Sequence, residues 1–256
     1  MDFLQALILG VIEGVSEFLP ISSTGHLILA SKVLAIPPTE FVKSFEISIQ
    51  LGAILSVVVL YGRSLLIDFK ILQRVGVAFV PTAVLGLLFY KLIKKFLLGN
   101  SMVVVWSLFL GGLILIVFEL WHREKHDAKD DLRELSFKTA FFIGVFQSLA
   151  MVPGVSRSAA TIIGGLLLGL KRRIIVEFSF LLAVPTMMAA AGLDLLKSAH
   201  NFTQHETACL GIGFIISFIV ALFSIKFLLH FIKNNSFIPF GIYRVIVAGL
   251  FLLFIQ

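Results

Sequence analysis

The chain has 256 residues, of which 59% are hydrophobic, 14% charged and 12% aromatic, with a net charge of +6 and a mean hydropathy of +1.04. A soluble domain averages about 25% charged residues, so there is too little polar surface here to cover a soluble globule; a disordered chain, a collagen and a disulfide scaffold are excluded as well. What remains is a polytopic membrane protein, with length for about six to eight spans at roughly 20 apolar residues each.

The apolar runs are unbroken rather than alternating, which makes the spans helices and not barrel strands. A pI of about 9.6 reads first as positive-inside loop bias, not as a nucleic-acid surface. Cys209 is the single cysteine and has no internal disulfide partner. The start of the chain lacks a basic region, and Glu13 and Glu17 interrupt its apolar stretch, so no cleavable leader is expected.

In chain order, residues 6–34 are apolar but carry Glu13, Glu17, Pro20, Ser22, Ser23, Thr24, Gly25 and His26. A Pro/Ser/Gly break there meets two helical stretches. Spans are expected at 45–61, 75–91 and 102–121. A connector of mixed charge follows at 122–138. Residues 140–170 repeat the device, with Pro153, Gly154, Ser156, Arg157 and Ser158 at the break. Further spans are expected at 174–193, 207–229 and 237–255. Backbone freed at such breaks cannot face lipid and must lie against protein or a water-filled cavity. Both broken segments therefore read as re-entrant helix hairpins.

The halves resemble each other. Ala6, Gly10, Val11 and Glu13 align with Ala140, Gly144, Val145 and Gln147 at an offset of 134. Pro20 and Ser23 align with Pro153 and Ser156 at 133, and Glu46, Ser48 and Leu51 with Glu177, Ser179 and Leu182 at 131. The expected fold is an all-α integral membrane protein of two inverted-topology repeats, 1–121 and 139–256, in one structural domain. Each repeat is one re-entrant hairpin plus three transmembrane helices, and three spans force the second repeat upside down. The loops on one side hold 13 Lys/Arg and those on the other 6. The side with 13 is expected to be cytoplasmic, with the termini and the first hairpin on the outside.

Ionisable groups at membrane depth are costly and mark function. Glu13 and Glu17, four apart, share a helix face and repel unless a divalent cation or a shared proton lies between them. Ser22, Ser23, Thr24 and Gly25 stand where a helix N-terminus presents free N–H groups to an anion, as do Ser156 and Ser158. His26 can serve as base, acid or nucleophile. Arg157 is read at the position of Thr24 in the first half, and its planar fork suits phosphate oxygens; the blander reading is an ion pair to Glu13 or Glu17. Together these residues describe a phosphate site with acid–base equipment inside a bilayer, suited to a lipid phosphate or diphosphate.

Residues 10–26, GVIEGVSEFLPISSTGH, resemble the first signature of the bacterial undecaprenyl-diphosphate phosphatases of the bacitracin-resistance type. Residues 153–161, PGVSRSAAT, resemble the second, and 45–52, FEISIQLG, also match. The resemblance runs from about residue 3 to the C-terminus. It implies hydrolysis of undecaprenyl diphosphate to the monophosphate on the outer side of a bacterial plasma membrane, with a divalent cation such as Mg2+ or Ca2+. It implies a metal or acid–base role for Glu13 and Glu17, nucleophile or base for Ser23 and His26, and a phosphate clamp for Arg157. Glu46, Gln50 and Thr161 are further candidates. Ser23 attacking with His26 as its base is favoured, with attack by His26 itself or by a metal-bound water left open. Arg244 is expected to snorkel or to pair with an acid, and a structural role is favoured for it. The alternative is a polyprenyl-phosphate transporter, since broken helices at the midplane also build transporters. The lipid substrate and the bilayer are the partners expected, with a homodimer left open.

Overall fold

The computed structural model describes residues 1–66, 68–96, 101–124, 128, 130–197 and 202–254. Ten α-helices are described: α1 (Phe3–Ser16), α2 (Ser23–Val33), α3 (Glu40–Leu66), α4 (Phe69–Phe96), α5 (Ser101–Trp121), α6 (Phe137–Ser148), α7 (Arg157–Leu167), α8 (Arg172–Lys197), α9 (Gln204–Phe231) and α10 (Ile238–Phe254). Short 3-10 turns stand at Leu132–Glu134 and Leu149–Met151. No extended strand occurs among the described residues.

Among the described residues five helices are long and apolar enough to cross a membrane, namely α3, α4, α5, α8 and α9. The sequence suggested six. The sixth, α10, has 17 residues and spans about 25 Å at 1.5 Å per residue, less than the hydrocarbon core. The helices α3 and α4 run well past the expected spans 45–61 and 75–91. Apolarity reports where lipid is, whereas the helix continues into charged ends such as Glu40 and Lys43, which form an ion pair one turn into α3. Part of the connector, 125–127 and 129, lies outside the described residues. So do the side chains of Arg63, Lys91, Lys94, Lys95 and Lys197 that entered the charge count, and residue 255 at the end of the last expected span.

The two broken segments have one geometry. The helices of the second, α6 and α7, start 134 residues after those of the first, α1 and α2, and α7 also ends 134 after α2, while α6 passes two residues earlier into the 3-10 turn at Leu149–Met151. Ser22 and Ser156 are the N-caps, with φ of 76° and 77°. Their hydroxyls accept from the N–H of Gly25 and Ala159, at 3.4 and 3.2 Å. Such left-handed backbone costs a non-glycine residue about 1–3 kcal/mol and persists only where the surroundings impose it. Both second helices then stop alike, at Ala35 (φ 51°) and Gly169 (φ 80°), with Ile36 and Leu170 N–H groups reaching back to the carbonyls of Ser31 and Gly165. This register corrects one alignment. The prolines match at 133 but the caps at 134, so Arg157 is the counterpart of Ser23, not of Thr24.

Each half packs into the other. Helix α1 lies on α9, α6 lies on α4, α5 pairs with α10, and α3 packs on α8 and α9. Small residues let the backbones approach: a Cβ on Gly14 would meet the Ser217 carbonyl at 2.7 Å. At one end, ion pairs tie the loops together, Arg133 to Asp68 (2.7 Å), Lys171 to Asp130 (2.8 Å) and Arg172 to the buried Glu119 (2.6 Å). The edge of Phe18 against Phe180, at 5.3 Å, fills the space beside the first break.

Candidate active site

The two breaks bring Glu17, Ser23 and Arg157 together. Glu17 is the last residue of the α1 turn structure, and the chain reverses through 18–22 to Ser23 at the start of α2. The Ser23 hydroxyl donates to Glu17 Oε2 at 2.5 Å. The other oxygen, Oε1, accepts from Arg157 Nη2 at 3.0 Å. Arg157 Nη1 donates to the Ser179 carbonyl on α8 at 2.8 Å, while its Nε is buried and without a partner among the described residues. The Arg157 and Glu17 side chains are 12% and 4% exposed. A charge pair this dry is held by geometry and fails badly when one partner is lost.

Glu13 lies one turn before Glu17 and is 0% exposed. Both of its carboxylate oxygens lack a hydrogen-bond partner among the described residues. Glu17, Glu46 and Arg157 are the charged groups close enough to act on it. A buried carboxylate without hydrogen bonds costs several kcal/mol, of order that for an unpaired ion. Its hard oxygens beside a second carboxylate fit a divalent cation that completes its shell with water and phosphate oxygens. No group of three His, Cys, Asp or Glu side chains suited to a metal occurs among the described residues, so the fit is to a two-carboxylate site of that open kind.

The remaining candidates divide. Gly25 and the caps Ser22 and Ser156 shape the helix N-termini. Their internal bonds use the N–H groups of Gly25, His26, Ala159 and Ala160. Those of Ser23, Thr24, Arg157 and Ser158 have no acceptor among the described residues. The Ser158 hydroxyl donates to the Phe18 carbonyl at 2.8 Å and so staples one break to the other. Thr161 bonds to the carbonyls of Arg157 and Ser158 and to the Ser179 hydroxyl at 2.7 Å, which ties the start of α7 to α8. The Thr24 side chain is exposed. Glu46 and Gln50 are half-buried on one face of α3, a turn apart.

His26 is not placed as expected. Its Nδ1 lies 2.7 Å from the Ser22 carbonyl, which can only accept, so Nδ1 carries the proton. In the neutral ring Nε2 then accepts from the Tyr243 hydroxyl at 2.9 Å, and the two rings stack with 5° between their planes. The Ser23 hydroxyl therefore bonds to Glu17, and the His26 ring to Ser22 and Tyr243. Arg244 neither snorkels nor pairs with an acid among the described residues: it is 0% exposed and bonds to backbone carbonyls of both breaks, in keeping with the structural role favoured for it. Ser179 and Tyr243 are further residues of the site that sequence reasoning did not single out. The one available signal for Ser179 was its repeat match to Ser48; Tyr243 gave none.

The profile of the family described as Bacitracin resistance protein BacA matches residues 6–250. The chain belongs to that family. Among similar proteins, an undecaprenyl-diphosphatase of Aquifex aeolicus is 57% identical over 244 residues, covering 95% of each chain. One of Sulfurihydrogenibium sp. is 54% identical over 253 residues, covering 99% of each. One of Persephonella marina is 48% identical over 255 residues, covering all of both. In this BacA-family chain, all three signatures and the Glu17–Ser23–Arg157 cluster fall inside the matched region.

Proposed function

We propose that this protein hydrolyses undecaprenyl diphosphate to undecaprenyl phosphate and inorganic phosphate, recycling the lipid carrier of cell-wall precursors and giving bacitracin resistance. The activity is that named for the relatives, which match 95% to 100% of this chain. The observation that carries the mechanism is the hydroxyl of Ser23 donating to a carboxylate that Arg157 holds in place.

Ser23 Oγ attacks the terminal phosphorus and its proton passes to Glu17. The bond from that phosphorus to the bridging oxygen breaks, and undecaprenyl phosphate leaves with the proton that Glu17 gives up. Water then attacks the phosphoserine: Glu17 takes the water proton and returns it to Ser23 Oγ as the Oγ–phosphorus bond breaks, releasing inorganic phosphate and restoring the enzyme. Arg157 turns its fork from Glu17 towards the phosphate oxygens, and the free N–H groups of Ser23, Thr24, Arg157 and Ser158 add fixed partial charge. Ser156 and Ser22 hold those N-termini in place. Glu13 and Glu17 would hold a divalent cation, Mg2+ or Ca2+, which neutralises phosphate charge when bound. His26, tied to Ser22 and Tyr243, keeps the first turn of α2 in register.

The same reading includes two inverted repeats with re-entrant hairpins, the loops of ion pairs on the cytoplasmic side, and the site open to the outside of a bacterial plasma membrane. The support is the constant offset of 134 at which the helices of the two broken segments start, with matching serine caps, and the charge asymmetry of the loops. The transporter alternative draws on the broken helices alone and has no use for a serine bonded to a glutamate. The deciding experiment incubates purified protein with detergent-solubilised undecaprenyl diphosphate and measures phosphate and lipid product. Monophosphate and phosphate in equal amounts are expected; intact diphosphate would refute the reading.

A further inference from the structure

Arg244 is the largest fully buried side chain among the described residues. A buried guanidinium normally needs an anion, and here no carboxylate among the described residues meets it. All five of its N–H donors end on main-chain oxygens. Nε donates to Leu108 (3.3 Å), Nη1 to Pro20 (3.3 Å) and Val155 (3.1 Å), and Nη2 to Ser107 (3.1 Å) and Gly154 (2.9 Å). Three of these carbonyls belong to the two breaks. They are the oxygens that lose helical partners at membrane depth, where no lipid group can replace them. The other two lie on α5, where the glycines at 111 and 112 leave room: a Cβ on Gly111 would overlap the guanidinium.

One side chain therefore fixes the first break, the second break and α5 relative to one another. Pro20 stands three residues from both Glu17 and Ser23, and Val155 two residues from Arg157. The nucleophile half and the cation half of the site come from different breaks, and their alignment is what positioning catalysis requires. Lysine cannot replace this role, because a single ammonium has three donors and no planar fork.

We infer that Arg244 is a positioning residue for phosphoryl transfer: by bonding to the carbonyls of Pro20, Gly154 and Val155 it sets Arg157 in register with Glu17 and Ser23. The inference rests on the diphosphatase reading, so wild-type enzyme is assayed first; a wild type without phosphate release would sink that reading and not reach this one.

Given an active wild type, turnover is measured for Arg244→Lys, Arg157→Lys and the double variant, each with its melting temperature. Arg244→Lys should lower kcat about 10- to 100-fold with KM changed little, as misplacement by about an ångström does. The double variant should be about as slow as Arg157→Lys alone, because a clamp already lost cannot be misplaced further. Losses that multiply, or a change in KM alone, would overturn the inference. If Arg244→Lys does not fold, Gly111→Ala decides: its methyl group displaces the guanidinium while every charge remains. A lowered kcat that does not compound with Arg157→Lys supports the role, and wild-type kcat in Gly111→Ala overturns it.

Discussion

Replacing Arg157 by lysine keeps the charge and removes the fork. In the structure the guanidinium uses one nitrogen on Ser179, one on Glu17 Oε1, and carries a third, Nε, with no partner. An ammonium can hold Glu17 or reach Ser179, but it cannot turn two parallel donors onto a phosphate. Losing charge-assisted bonds in a dry site costs on the order of 2–4 kcal/mol of barrier, about 30- to 1000-fold in rate. The fold should survive, since a cation still faces Glu17. Arg157→Ala is different: it strands a carboxylate that is 4% exposed, and breaking such a pair costs about 3–5 kcal/mol of stability. Phosphate release and melting temperature are measured on both. Arg157→Lys with near-normal turnover would refute the clamp, and an Arg157→Ala protein that melts like wild type would refute the contribution of the buried pair to stability.

Three other outcomes are expected. Raising Mg2+ or Ca2+ should raise the melting temperature of wild type, because a ligand that binds only the native state stabilises it; Glu13→Gln should be more stable without cation and insensitive to it, and equal cation responses would remove Glu13 from the site. Ser156→Ala should destabilise by about 1 kcal/mol by losing the cap, whereas Ser156→Gly should be near neutral because relief of the positive φ offsets that loss; thermal melting separates them, and equal effects would refute the strain argument. Cysteine in place of Asp2 should react with a membrane-impermeant thiol reagent in intact cells and cysteine in place of Asp130 should not, and the reverse pattern would invert the proposed topology.

What was legible in the sequence follows from the cost of polar groups in lipid. Glu13, Glu17, Ser23 and Arg157 stood out because hydrocarbon tolerates such residues only for a reason, and the structure brings the last three into contact. The breaks were legible from Pro20, Pro153 and their serines, but not the register across them, because the prolines are offset by one from the caps. The Ser23–Glu17 bond was hidden for a different reason. Its spacing of six belongs to no regular helix and arises only when the chain reverses between α1 and α2. His26 was assigned to Ser23 on proximity in sequence, although a residue in the first turn of a helix points where that turn directs it, here towards Tyr243 on α10. Arg244 was unreadable as a partner of the breaks because its acceptors are carbonyls, which every residue carries and no sequence pattern marks.

The central claim is that Ser23, activated by Glu17, performs the chemistry. The direct test is phosphate release from undecaprenyl diphosphate by purified Ser23→Ala beside wild type, with melting temperatures to show that both are folded. Ser23→Ala removes one hydroxyl and leaves the Arg157–Glu17 pair in place. Turnover should fall at least about 1000-fold, as when a nucleophile is removed from an otherwise intact site. A folded Ser23→Ala enzyme within about tenfold of wild type, less than even general-base catalysis supplies, would contradict the account.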